Sequence, residues 1–419
     1  MKYNFDEIID RTHTNSENVD GWRPYIFKCG PEKKFPYADD EFIRMWVADM
    51  EFAVAPEIRE AIKERVDRKI LGYTIVSDAG YYESLRNWCR TRYSWEFPKE
   101  ELEFSPGVIP ALYQLVEDLV KPDNGKVLTM TPAYGFFLHA CEYNDVELVT
   151  SPLKKMDGRF EIDFDDLAAK AADPQVKMLM LCNPHNPSGR IWTEDELKKI
   201  AQITEKNDLW VISDEIHCDL IRTGLSHIPM GKIMPDYKKL ITTMSASKTF
   251  NLAGMLFSNI IIRCPEERAR FEARDKNIGA TNPLSIAAHK AAYEHGGQWL
   301  DELKLYIDNN LAYVKEFLEK EIPEAVFTIP DATYFAWVDM SKVLPDVEDL
   351  PLFFANNAGV LLEGGDKLFV GNAKGYIRLN LAMPHAVLET GLVRMAEAVK
   401  KHNSTKEIEN QHSIKQPRV

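Results

Sequence analysis

Residues 177–190 read Lys177-Met178-Leu179-Met180-Leu181-Cys182-Asn183-Pro184-His185-Asn186-Pro187-Ser188-Gly189-Arg190. An apolar run of this length, closed by a cluster of turn formers, is the pattern of a strand buried on both faces of a parallel sheet. Two runs of the same kind follow. Leu209-Trp210-Val211-Ile212-Ser213 leads into Asp214-Glu215-Ile216-His217, and Leu240 to Met244 leads into Ser245-Ala246-Ser247-Lys248-Thr249-Phe250-Asn251. Lys126 to Met130, Val146 to Thr150 and Asn259 to Ile262 read as further strands. Helices fit between them: Ile109 to Val120 is amphipathic, Phe164 to Ala172 is helical, and Thr193-Glu194-Asp195-Glu196 is a capping box opening a helix that reaches Asn207. This alternation predicts an α/β fold, a large doubly wound domain with a mainly parallel sheet.

The rhythm changes near residue 280. Pro283 to Lys320 is helical with a break at Gly296-Gly297. Strands at Val326 to Ile329, Tyr334 to Val338 and Tyr376 to Leu381 then mix with helices over 349–357 and 385–401. That predicts a smaller α+β domain, and a chain of 419 residues exceeds the size at which one core usually suffices. The expected boundaries are 46–285 for the large domain and 1–45 with 286–401 for the small one. Residues 402–419 are polar and unpatterned and are expected to be a disordered tail.

Composition narrows the partners. With 45% hydrophobic and 28% charged residues, the chain has the make-up of a globular protein. Its 51 basic against 65 acidic residues give a net charge of −14, which disfavours nucleic acid or an anionic membrane as the main partner. No apolar stretch approaches the roughly 18–20 residues of a membrane span, and Met1 to Glu7 lacks the apolar run of a signal peptide. The six cysteines are scattered without a C-x-x-C pair, so a cytoplasmic location with reduced thiols is expected. No G-x-G-x-x-G follows the first strand, and no G-x-x-x-x-G-K-[ST], H-E-x-x-H or G-x-S-x-G occurs. The standard modes of dinucleotide and nucleoside triphosphate binding are therefore not expected, and no metal site is.

Open α/β sheets place ligands beyond the carboxyl ends of their strands. A carboxylate there, Asp214, needs a cation to offset its burial. Lys248, near Ser245 and Ser247, offers an amine and two hydroxyls in one place. An aldehyde for the lysine, a phosphate for the serines and a pyridinium for the aspartate are found together in pyridoxal 5′-phosphate.

The order Asn183-Pro184-His185-Asn186-Pro187-Ser188-Gly189, then Asp214-Glu215-Ile216-His217, then Ser245 to Asn251 resembles the fold type I pyridoxal-phosphate enzymes of the class I/II aminotransferase superfamily. Trp46-Val47-Ala48-Asp49-Met50-Glu51-Phe52 and Lys248-Thr249-Phe250-Asn251-Leu252-Ala253-Gly254 resemble its cystathionine β-lyase/C–S lyase branch. That branch more often carries Asp-Met-Asp-Phe, so Glu51 is a departure, expected to be neutral. The resemblance implies that Lys248 bonds to the cofactor's aldehyde and later takes the substrate's α-proton, while Asp214 pairs with the pyridine nitrogen. It implies that Asn186 donates to the cofactor's O3′, that Tyr134 stacks on its ring, and that the N–H groups of Val108 and Ile109, with Ser245 and Ser247, hold its phosphate. His217 stands where aminotransferases carry a tyrosine, and either an O3′ contact or a bond to Asp214 is open to it. Arg378 would bind the substrate's α-carboxylate. Tyr73 would reach the neighbouring subunit's site, making the active unit a homodimer with shared sites. The function implied is a C–S β-lyase converting cystathionine or related cysteine S-conjugates to pyruvate, ammonia and a thiol. An aminotransferase, or a non-catalytic regulator that keeps the fold, are the alternatives.

Overall fold

The computed structural model describes residues 1–76, 79–156, 158–278 and 281–414. Seven strands form the main sheet: β1 (Leu102–Ser105), β2 (Lys126–Thr131), β3 (Glu147–Pro152), β4 (Val176–Cys182), β5 (Trp210–Asp214), β6 (Leu240–Met244) and β7 (Ser258–Ile262). Their order is β1-β7-β6-β5-β4-β2-β3, and only the pairings made by β7 are antiparallel. The unbroken apolar runs are explained by burial on both faces. Along β4, Leu179 and Leu181 join one core cluster with Leu197 and Ile200 of the helix Glu194–Lys206. Met178 and Met180 join another with Leu112 and Leu115 of the helix Val108–Leu119. Alternate side chains thus each reach a helical layer, and no polar face is left for solvent. The capping box at Thr193 forms as expected, its hydroxyl accepting from Glu196 N–H.

A second sheet holds β8 (Phe335–Asp339), β9 (Glu363–Gly364) and β10 (Tyr376–Asn380), with β10 central and both pairings antiparallel. Around it pack the helices Gly297–Glu321, Leu350–Ala358 and His385–Ile414.

Two expectations need correction. Val326 to Ile329 is not a strand: Val326 makes a single bridge to Asp339, and the segment runs into Pro330, which ends pairing. Of the expected disordered tail, residues 402–414 continue the last helix, and 415–419 lie outside the described residues. His402 and Lys406 both pair with Asp346, and the His402 ring meets Phe353 edge-on, so contacts rather than an apolar stripe dock its start.

Candidate active site

The carboxyl ends of β4, β5 and β6 open on one cleft of about 420 Å³. The sheet register sets this up. Cys182 lies opposite Asp214, and Asp214 opposite Thr243, so the segments following three apolar runs emerge side by side. Asn186, Asp214, His217, Ser247 and Lys248 all line the cleft.

Lys248 sits on the short helix Ala246–Thr249 and donates from Nζ to the Ala48 carbonyl at 2.8 Å. Burial, helped by Arg378, brings its amine down to about 8, while Asp49 and Asp214 pull the other way. The Asp214 carboxyl is lifted to about 6 by burial, against hydrogen bonds from Ile216 N–H (3.2 Å) and the Thr243 hydroxyl (3.3 Å). A buried carboxyl held this way gains most from a cation brought to it, as a protonated pyridine would be.

Asn186 lines the cleft with a buried Oδ1 that has no hydrogen-bond partner. Asn183 faces elsewhere, its amide donating to the Ile228 carbonyl at 3.0 Å. His217 is buried beside Phe335 and held neutral, its pKa brought to about 3 by burial and then by Lys248 and Arg378. Its Nδ1 is unpartnered, and among the described residues no hydrogen bond joins it to Asp214. Tyr134 borders the same space.

Val108 and Ile109 line the cleft at the start of their helix, where N–H groups face an incoming anion. A Cβ at the preceding Gly107 would crowd the Pro110 ring, at 3.2 Å from its Cδ. Ser247 borders the cleft, but Ser245 does not. The Ser245 hydroxyl is spent on the fold, donating to the Phe257 carbonyl at 2.8 Å and accepting from Ser247 N–H at 3.1 Å as a helix cap. Tyr73 is also outside the cleft of its own chain and is fully exposed.

The remaining wall comes from β10. Arg378 is buried, stands between Trp337 and Glu363 across the sheet, and lies 4.2 Å over the Phe335 ring. Nη2 donates to the Trp46 carbonyl at 2.9 Å, whereas Nε and Nη1 are buried without partners. Unpaired guanidinium N–H groups at the edge of a cleft fit an incoming carboxylate. Glu363, lifted to about 7 by burial against the pull of Arg378 and Lys28, is the neighbouring acid. Together the orphaned atoms of Asn186, His217 and Arg378, a lysine amine near neutrality and an open helix start fit pyridoxal phosphate carrying an amino acid.

Sequence reasoning missed the backbone of residues 46–48. The Ala48 carbonyl accepts from Lys248 and also from the Tyr334 hydroxyl at 3.0 Å, and Trp46 fixes Arg378. The Trp46–Phe52 stretch had shown only as a family marker, with no side chain to suggest that its carbonyls matter. Ile216 and Leu256, apolar residues of the cleft lining, were also unmarked.

Known proteins are similar to this chain in sequence and fold. The profile of the class I and II aminotransferases matches residues 41–395. Cystathionine beta-lyase PatB of Bacillus subtilis is 38% identical over 358 residues, covering 85% of this chain and 92% of its own. A PLP-bound C–S lyase of Staphylococcus hominis superposes with a TM-score of 0.89 at 46% identity, covering 95% of this chain and 98% of that one. Cystalysin of Treponema denticola, whose crystal structure contains pyridoxal 5′-phosphate, superposes at 0.87 with 34% identity over 96% of this chain and 100% of that one. From residue 41 to residue 395, then, this chain belongs to the class I and II aminotransferase family.

Proposed function

We propose that the chain is a pyridoxal-phosphate-dependent C–S β-lyase that cleaves cystathionine or a related cysteine S-conjugate to pyruvate, ammonia and a thiol. One observation carries this most: the Lys248 amine, the Asp214 carboxyl and the free N–H groups of Arg378 share one cleft. Similarity to C–S lyases over nearly the whole chain supports the lyase over the aminotransferase.

When bound, the cofactor supplies an electron sink for the pair left on the substrate's Cα. Lys248 and Asp214 would hold it at its two ends, with Asn186, Tyr134, Ser247 and the helix start at Val108 between them. Arg378 binds the substrate's α-carboxylate and fixes the direction in which the Cα–H bond points. The Lys248 amine, low enough to be neutral in mildly alkaline solution, takes that proton. The Cβ–S bond then breaks, its electron pair leaving on sulfur as a thiolate. Water converts the three-carbon remainder to pyruvate and ammonia.

The exposed apolar segment holding Ile70, Leu71, Tyr73 and Ile75 supports a homodimer in which Tyr73 completes the partner's site. No described helix is long and apolar enough to cross a membrane. The six unpaired cysteines support a cytoplasmic location.

Incubating the purified protein with cystathionine and no oxo acid is expected to release pyruvate and thiol in equal amounts. Turnover only with an added 2-oxo acid would instead identify an aminotransferase. A visible spectrum unchanged by any amino acid would identify a regulator.

A further inference from the structure

Glu51, the departure from the branch pattern, is part of a network centred on residues 46–52. This stretch presents its carbonyls inward: Trp46 to Arg378, Ala48 to Lys248 and Tyr334, and Val47 and Asp49 to the Asn380 amide at 2.7 and 2.5 Å. Its acidic side chains are gripped from the N-terminal segment. Arg11 donates to Asp49 from both Nη atoms, at 2.5 and 3.3 Å, and to Glu51 at 3.0 Å. The Asn18 amide donates to the same two carboxylates, at 3.2 and 2.5 Å. Arg11, Asp49 and Glu51 are each mostly buried, so these bonds are shielded from solvent.

The charges that the Lys248 amine meets are few. Arg378 disfavours its protonation, and Asp49 and Asp214 favour it. His217, neutral, and Tyr334, whose hydroxyl shares the Ala48 carbonyl with the amine, are further titratable neighbours. Asp49 is thus the acid whose influence Arg11 controls, because a guanidinium bound to both its oxygens offsets the field it casts on the amine.

We propose that Arg11 and Asn18 are positioning residues for Lys248: by fixing Asp49 and Glu51 they hold the Ala48 carbonyl where it receives the amine, and they set how much negative charge that amine meets. This rests on Lys248 being the reactive amine of the lyase, but its test does not require turnover.

The full-length chain, freed of cofactor, is reductively methylated with ¹³C-formaldehyde, and the labelled amines are titrated by NMR. Loss of one signal in Lys248→Arg assigns the Lys248 amine. Asp49→Asn, nearly isosteric, is expected to lower its midpoint, and Arg11→Met to raise it, each by about one pH unit. Glu51→Asp, which shortens the side chain and leaves Asp49 bound, is expected to move it little. A merely structural disturbance would not give opposite signs. The proposal is overturned if both midpoints stay put or both move the same way. Arg11→Lys, which keeps the charge and loses the two-point grip, serves if Arg11→Met does not fold, and must then move the midpoint less than Asp49→Asn does. If pyruvate release fails while these titrations behave as stated, the lyase assignment falls and the positioning role stands.

Discussion

The two walls of the cleft are built on different principles. On the wall formed by β4, β5 and β6, each working side chain leaves the end of an apolar strand, and its place is fixed by sheet register. On the opposite wall Arg378 lies within a strand and is aimed by a carbonyl 332 positions away in sequence, just as Lys248 is steadied by one 200 positions away. The backbone places of the first wall follow from the strand ends, whereas the aim of Arg378, like that of the Lys248 amine, depends on the assembled chain. Substitutions should therefore divide: those on the first wall remove chemistry, and those on the second degrade binding and alignment.

The largest effect tests the first wall. Lys248→Ala is expected to lower kcat by roughly 10⁴-fold in a pyruvate-release assay, with an unchanged far-ultraviolet spectrum. Activity within tenfold of the parent would remove Lys248 from its role as base. Asp214→Asn, which keeps the shape and deletes the charge, should cost about 10²- to 10³-fold in kcat. Arg378→Lys probes the second wall. It retains the charge but not the fork, so KM should rise about 10- to 100-fold while kcat falls less. A larger fall in kcat than rise in KM would erase the proposed division. A pH series sharpens it further. Only the neutral amine attacks an aldehyde, so capture of added cofactor by the stripped chain should slow about tenfold for each pH unit below about 8. The smallest effects separate two neighbours: Ser247→Ala should weaken cofactor binding about tenfold, whereas Ser245→Ala should cost about 1 kcal/mol of stability in denaturant titration, as the loss of a helix cap does.

Legibility in the sequence follows the same line. The strands of the main sheet announce themselves because both faces of each need apolar residues, and the motifs at their ends identified Asp214, Asn186, Ser247 and Lys248. The Val326 to Ile329 run carries the same apolar signal but pairs only through the Val326–Asp339 bridge, which periodicity does not reveal. Polar residues with no stripe after Lys401 look like a tail, although the Lys406–Asp346 ion pair and the His402 contacts hold the start of the segment. Ser245 and Ser247 are equivalent on paper. Only the folded backbone, with the Phe257 carbonyl 2.8 Å from the Ser245 hydroxyl, assigns one to the cap and the other to the cleft. Arg11 and Asn18 gave no sign at all, because their partners are some 31–40 residues away and their types are common on surfaces.

Because Trp46 and Ala48, two residues apart, anchor the guanidinium and the amine, neither group is free to drift without dragging the other. Evolution or an engineer seeking a new leaving group would then have to leave that tether alone and work at the far lip of the pocket. Ile216, Ala253 and the largely exposed Leu256 line the cleft without anchoring either group, and broadening the range of accepted thioethers should begin with them.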